Sequence, residues 1–211
     1  MQQVRNYFQK TRVETFSDGI FAIIITVLVL ELKVPVIKDV TNRAELLNGL
    51  WLLMPKIISW IISFLTVSVM WVNHHRLFKM FKVFNNGLFW GNALLLLAVS
   101  FTPFPTAVLG DYHHNETAVL FYGFSMALCN GMFSAVQIYA FMHPEILDPD
   151  IDVPRFKRKT IYSIAFGPLL YIAGALLSFV DPVISFVTYF CIPIYFIFPH
   201  AIEELELKKE A

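Results

Sequence analysis

The chain has 211 residues, 57% of them hydrophobic and 15% charged, and its mean hydropathy is +0.62. That composition excludes a water-soluble domain of ordinary make-up. Its 16 basic and 16 acidic residues give a formal net charge of zero, which offers no electrostatic basis for nucleic-acid binding.

A bilayer core of about 30 Å takes about 20 mostly apolar helical residues. Six stretches come close to that length: Gly19 to Val34, Gly49 to Trp71, Gly87 to Leu109, Thr117 to Met142, Thr160 to Val180 and Pro182 to His200. They are continuously apolar, whereas the strands of an outer-membrane barrel alternate. The expected fold is therefore all-α, a polytopic membrane bundle of six transmembrane helices forming one domain over 1–211. The helices are expected at about 12–34, 49–82, 84–109, 117–142, 158–180 and 182–203.

The first helix is the least typical. From Gly19 to Val34 it would rise only about 24 Å, short of a bilayer core, so the helix is expected to start earlier and to draw Ser17 and Asp18 toward membrane depth. It follows a polar region without a small-residue cleavage site, so no removable leader is expected. A carboxylate at that depth wants a partner. Arg12 is six residues away, and six helical positions put the two side chains well apart around the cylinder. The cytoplasmic end of helix two lies at the same depth, with Trp71, Asn73, His74 and His75. Trp71 and His75, four residues apart, share a face from which an indole N–H and an imidazole can reach the Arg12 and Asp18 region. On the other reading, Ser17 or Asp18 caps helix one and Trp71 is an interfacial anchor.

On the uncharged side of helix one, Ile20, Ile23, Val27, Leu30 and Val34 recur at steps of three and four, with Thr26 at the edge. Periodicity alone leaves three roles open for this stripe. It faces lipid, packs in the bundle, or closes a narrow apolar pore with symmetry copies.

Further along, Lys56 lies a turn inside the outer end of helix two, where a long side chain can snorkel to the headgroups. Pro103, Pro105, Gly167, Pro168, Gly174 and Pro193 interrupt helices three, five and six and are read as kinks. The loop from His143 to Lys159 is the longest polar break. Cys129 and Cys191 fall mid-helix, at a spacing that suits neither a disulfide nor a metal site.

Basic residues set the orientation. Twelve fall on one side: Arg5, Lys10, Arg12, Arg76, Lys79, Lys82, Arg155, Lys157, Arg158, Lys159, Lys208 and Lys209. Only Lys33, Lys38 and Arg43 fall in the first loop opposite. Both termini are therefore expected in the cytoplasm.

Arg12, Phe16, Ser17 and Asp18 spell R-x-x-x-F-S-D and are followed by Gly19, Ile20, Phe21 and Ala22. This segment resembles the signature of the transmembrane protein 175 potassium channels of endosomes, lysosomes and prokaryotes. Trp71 to His75, and the run from Leu94 to Thr106 ending in F-T-P-F-P-T, are similar to that family as well. The resemblance implies a pore lined by helix one around a symmetry axis, without a T-V-G-Y-G filter. Ile23 would be the constricting residue, Val27 and Leu30 would continue the apolar lining, and Thr26 would influence potassium preference. Some members carry leucine at the second layer, where this chain has the smaller Val27. Animal members hold two six-helix repeats and this chain one, which implies a homotetramer of the prokaryotic type in a cell inner membrane. Its expected partners are the lipid bilayer, its own copies and the permeant potassium ion, with no cofactor.

Other classes fit less well. A secondary transporter or a weakly selective cation or proton leak is the alternative, but a transporter wants ionisable groups or paired broken helices at the midplane, and Glu31 and Asp181 lie near the outer ends. No H-E-x-x-H or G-x-S-x-G arrangement supports an enzyme, and no helix carries a cation at every third position as a voltage sensor would. His113 and His114 are expected in an external loop. Glu31 is a candidate for drawing cations to the outer mouth.

Overall fold

A computed structural model of the chain describes residues 8–151 and 153–207. Arg5, Lys208 and Lys209 lie outside these residues, and the side chains of Arg155, Lys157, Arg158 and Lys159 are not among those described. The elements are helical throughout: α1 (Lys10–Val27), continued by a 3-10 turn at Leu28–Glu31, then α2 (Arg43–Leu52), α3 (Met54–Lys79), α4 (Asn86–Ser100), α5 (Pro103–Asp111), α6 (Glu116–Met142), α7 (Val153–Leu176) and α8 (Pro182–Leu207).

Four stretches among the described residues are long and apolar enough to cross a membrane: Lys10–Glu31, Met54–Lys79, Asn86–Asp111 and Glu116–Met142. Two further apolar segments, Phe166–Phe179 and Pro182–Ile197, are shorter. Where one helix over 49–82 is expected, the chain forms two elements joined at Leu53, and the first begins earlier, at Arg43. The cause is local. Asn42 caps α2 by accepting the N–H groups of Ala44 and Glu45, and Pro55 sits in the first turn of α3, where its missing N–H is harmless. The expected helix over 84–109 likewise appears as α4 and α5. Thr102 keeps helical dihedrals and its carbonyl still accepts from Thr106 N, so Pro103 and Pro105 modulate one span rather than end it.

Two apolar cores result. One gathers Phe21, Ile24 and Leu28 of α1 with Met70, Leu77 and Phe78 of α3 and Leu88, Leu95 and Val99 of α4. The other joins Ile62 of α3 to Tyr122 and Met126 of α6, Tyr171 of α7 and Tyr189 of α8. Three pairs of buried hydroxyls meet across this second core, where no water could replace them. Thr106 donates to Ser63 (2.7 Å), Ser63 meets the Tyr122 hydroxyl (3.1 Å) and Thr66 meets that of Tyr171 (3.1 Å). At the opposite end from α2, the loops are stitched together. Lys82 N and Val83 N donate to Ile146 O, Asp148 N donates to Met80 O, and Lys10 Nζ donates to Phe81 O at 2.8 Å.

Candidate functional site

Helix α1 has two unlike faces. Val13, Ser17, Phe21, Ile24 and Leu28 recur at steps of four and three and are buried against α3 and α4. The other side carries Arg12, Phe16, Gly19, Ile23, Thr26 and Leu30, all exposed. The contrast is large: Ser17 and Leu28 are 0% exposed, Ile23 62% and Leu30 69%. Val27 is half-buried at the flank of this open face. The Thr26 hydroxyl donates to the backbone carbonyls of Ile23 (2.8 Å) and Ala22 (3.1 Å), so its oxygen keeps free lone pairs on the open side. Glu31 is half-buried in the closing 3-10 turn.

Because α1 begins at Lys10, Ser17 and Asp18 lie two turns inside it and neither caps the helix. Both turn instead to other helices. Trp71 Nε1 donates to Asp18 Oδ1 at 2.8 Å, and the His75 ring stacks on Trp71 with centroids 5.8 Å apart. His75 thus supports the indole and does not itself meet the carboxylate. Arg12 stands apart: it forms no ion pair among the described residues and lines a cleft with Phe8, Gln9, Val13, Phe16 and Phe89. Its separation from Asp18 by six helical positions, about 120° around the axis, accounts for this.

A second polar group escapes sequence reasoning. The buried Asn92 of α4 donates through Nδ2 to Ser17 Oγ at 2.9 Å, while its Oδ1 lies 2.9 Å from His74 Nε2. The Ser17 hydroxyl in turn donates a hydrogen bond to Val13 O at 2.9 Å. With the amide nitrogen donating, Oδ1 must accept, so His74 carries its proton on Nε2. The imidazole stacks on Phe78 at 3.8 Å and lies near Phe21 at 5.3 Å. The signal for this trio was a lone asparagine within the apolar run of helix three, a residue type that membrane spans retain only with partners.

At the outer end, Lys56 pairs with Asp111, so its ammonium is neutralised as well as able to reach the headgroups. Nearby, the rings of His113 and His114 lie 4.1 Å apart, tilted by 46°. Burial, and then the adjacent His114, hold the His113 imidazole below its ordinary proton affinity. Among the described residues no group of three His, Cys, Asp or Glu could hold a metal ion.

These features match one set of known proteins. Residues 12–103 match the family described as "Endosomal/lysosomal potassium channel TMEM175". A potassium channel of Chamaesiphon minutus is 36% identical over 192 residues, covering 88% of this chain and 92% of its own length. A potassium channel of a Chryseobacterium species is 32% identical over 206 residues, covering 95% and 98%. The crystal structure of a lysosomal potassium-selective channel TMEM175 homolog from Chamaesiphon minutus aligns with a TM-score of 0.77 at 34% identity, over 90% of this chain and 97% of that one. Sequence and fold agree along nearly the full length, and the chain belongs to the TMEM175 family of multi-pass membrane proteins.

Proposed function

We propose that this chain is one subunit of a homotetrameric, potassium-preferring cation channel whose path is lined by α1 and closed by rings of Ile23, Val27 and Leu30. The observation that carries the reading is the open face of α1. A helix held by its neighbours on one side presents an apolar, uncharged row on the other, with Ile23 62% and Leu30 69% exposed within the subunit. A single helix encloses nothing, but four copies around an axis would turn each exposed position into a ring. An ion entering such a ring finds no oxygen to replace its hydration shell, so a narrow apolar constriction stops conduction by excluding water, and a small widening rewets it.

In this arrangement Thr26 supplies the nearest side-chain oxygens to the apolar rings and is the candidate for potassium preference. Arg12, Phe16, Ser17, Asp18, Trp71 and His75 hold α1 against its own subunit and its neighbours. The subunit has six spans, with both termini in the cytoplasm of a prokaryotic cell and the complex in its inner membrane. The permeant ion is potassium, and the chemistry requires no cofactor.

Ion flux from liposomes tests this reading. Ile23→Asn places four amides at the narrowest ring and is expected to raise potassium flux about tenfold, as lowering the barrier by about 1.4 kcal/mol would. Unchanged flux would refute Ile23 as the gate. A reversal potential near zero in a potassium/sodium bi-ionic gradient would remove the potassium preference and leave a channel.

A further inference from the structure

The segment from Leu32 to Leu53 contributes no residue to either core. None of the ten residues of α2 is buried. Leu46, Leu47, Leu50 and Trp51 are 40%, 55%, 45% and 72% exposed, and at spacings i, i+1, i+4 and i+5 they form one continuous stripe. The opposite side of α2 is engaged. The Glu45 carboxylate accepts the N–H groups of Lys38 (2.7 Å) and Asp39 (3.2 Å). A Cβ placed on Gly49 would lie 2.8 Å from Pro35 Cβ. The strand-like chain after α1 therefore covers the back of α2 and leaves the leucine stripe bare.

The depth of that stripe is fixed by covalent connectivity. α2 ends at Leu52 and α3, a span of 26 residues, begins at Met54. One residue separates them, so α2 is held at the membrane boundary. Met54, 36% exposed and four residues beyond Leu50, carries the stripe across the joint onto the spanning helix. Arg43, exposed, is the one cation beside the leucines, and Glu45, the one carboxylate in α2, is already committed to the backbone of Lys38 and Asp39. A leucine stripe flanked by Trp51 at one end and an unmatched Arg43 at the other is complementary to acyl chains beneath anionic phosphates.

We infer that α2 is an interfacial helix that inserts Leu46, Leu47, Leu50 and Trp51 into the outer leaflet and sets Arg43 at the lipid phosphates. The inference rests on α3 crossing the bilayer and, for the choice of the outer leaflet, on the proposed cytoplasmic termini, and is independent of which helix lines the pore. Through Pro35 and Ile37, which pack on Gly49, the leaflet then bears directly on the chain leaving the outer end of α1.

Spin labels test it. Leu47→Cys, Leu50→Cys and, on the polar side, Asn48→Cys are each made with Cys191→Ser, since Cys129 is buried. The labelled proteins are reconstituted in phosphatidylcholine/phosphatidylglycerol vesicles, and power saturation is read against oxygen, which concentrates in lipid, and a water-soluble nickel chelate. The oxygen-to-nickel accessibility ratio is expected to be several-fold higher at positions 47 and 50 than at 48. Equal, nickel-accessible labels at all three positions would overturn the inference in favour of a water-exposed helix. Exclusion of both reagents at 47 and 50, with dipolar broadening that vanishes on mixing with unlabelled subunits, would overturn it in favour of a second copy covering the stripe.

Discussion

Asn92→Ala is the sharpest test of how α1 is held. The substitution removes two hydrogen bonds at once, from Asn92 Nδ2 to Ser17 Oγ and from His74 Nε2 to Asn92 Oδ1, each 2.9 Å long. The losses are unequal. Ser17 keeps its own bond to Val13 O, whereas the His74 Nε2–H, on a side chain only 2% exposed, is left without an acceptor. A stranded buried donor costs about 1–3 kcal/mol, while side-chain hydrogen bonds between membrane helices contribute about 0.6 kcal/mol on average. The sum is a loss of about 1.5–3.5 kcal/mol, equivalent to a fall of roughly 3–14 °C in the unfolding midpoint for a chain of this length. Ser17→Ala removes the bonds to Val13 O and from Asn92 Nδ2, strands one hydrogen of an amide that keeps its Oδ1 bond to His74, and should cost about 1 kcal/mol. Thermal unfolding of detergent-solubilised protein, followed by loss of the size-exclusion peak, measures both, and the double variant gives their coupling. An Asn92→Ala midpoint no lower than that of Ser17→Ala would refute the stranded-donor argument.

Four further outcomes are expected. Trp71→Phe removes the 2.8 Å bond to Asp18 and should lower stability by about 1 kcal/mol. Asp18→Ala and Arg12→Ala should each reduce tetramer yield or current, and wild-type assembly and conduction in both would refute the proposed network. Gly123→Ala sets a methyl against the Tyr189 hydroxyl and 2.7 Å from Ala175 Cβ, prying apart α6, α7 and α8 at a loss of about 1–3 kcal/mol. A midpoint matching wild type would show that this helix contact is not tight. His113 binds its proton more weakly in the folded chain than an ordinary histidine. The unfolded state therefore takes up more protons as the pH falls below about 6.5, and stability drops there while staying flat above. His113→Gln should shrink the midpoint difference between about pH 7.5 and pH 5.5; an unchanged difference would assign that sensitivity to other groups.

Much of the architecture was legible because membrane insertion imposes coarse rules. Apolar length alone locates the spans from Lys10 to Met142. The division at Leu53 was harder to see, because Leu50, Trp51 and Leu52 run without a polar break into the span that follows. Its signals were the cap at Asn42 with Glu45 three residues on, and Pro55. At the site, matching the depths of two helix ends picks out Asp18 and Trp71, atoms of which lie 2.8 Å apart. Arg12 did not follow, because depth says nothing about angle around a helix. Asn92 was missed because one amide barely dents the hydropathy of its neighbours. Its partner Ser17 is 75 positions away in sequence, a distance that no local pattern spans.

The Ser17–Asn92–His74 trio also acts as a lock on azimuth. Dispersion forces between lipid-embedded helices tolerate many rotational settings, since one leucine surface packs much like another. Polar groups tolerate one. Turning α1 by a single residue, about 100°, would swing Ser17 away from Asn92 and leave the amide N–H unsatisfied in hydrocarbon, while the His74–Asn92 bond between α3 and α4 stayed in place. Ile23 lies about 120° around the same cylinder from Ser17, so the lock also fixes where the open face points. A helix held this way can tilt or slide only as far as the trio allows, and it cannot roll. In the proposed channel, conformational change would then move α1 together with α3 and α4 as one body, with Ile23, Val27 and Leu30 carried along rather than rotated out of line.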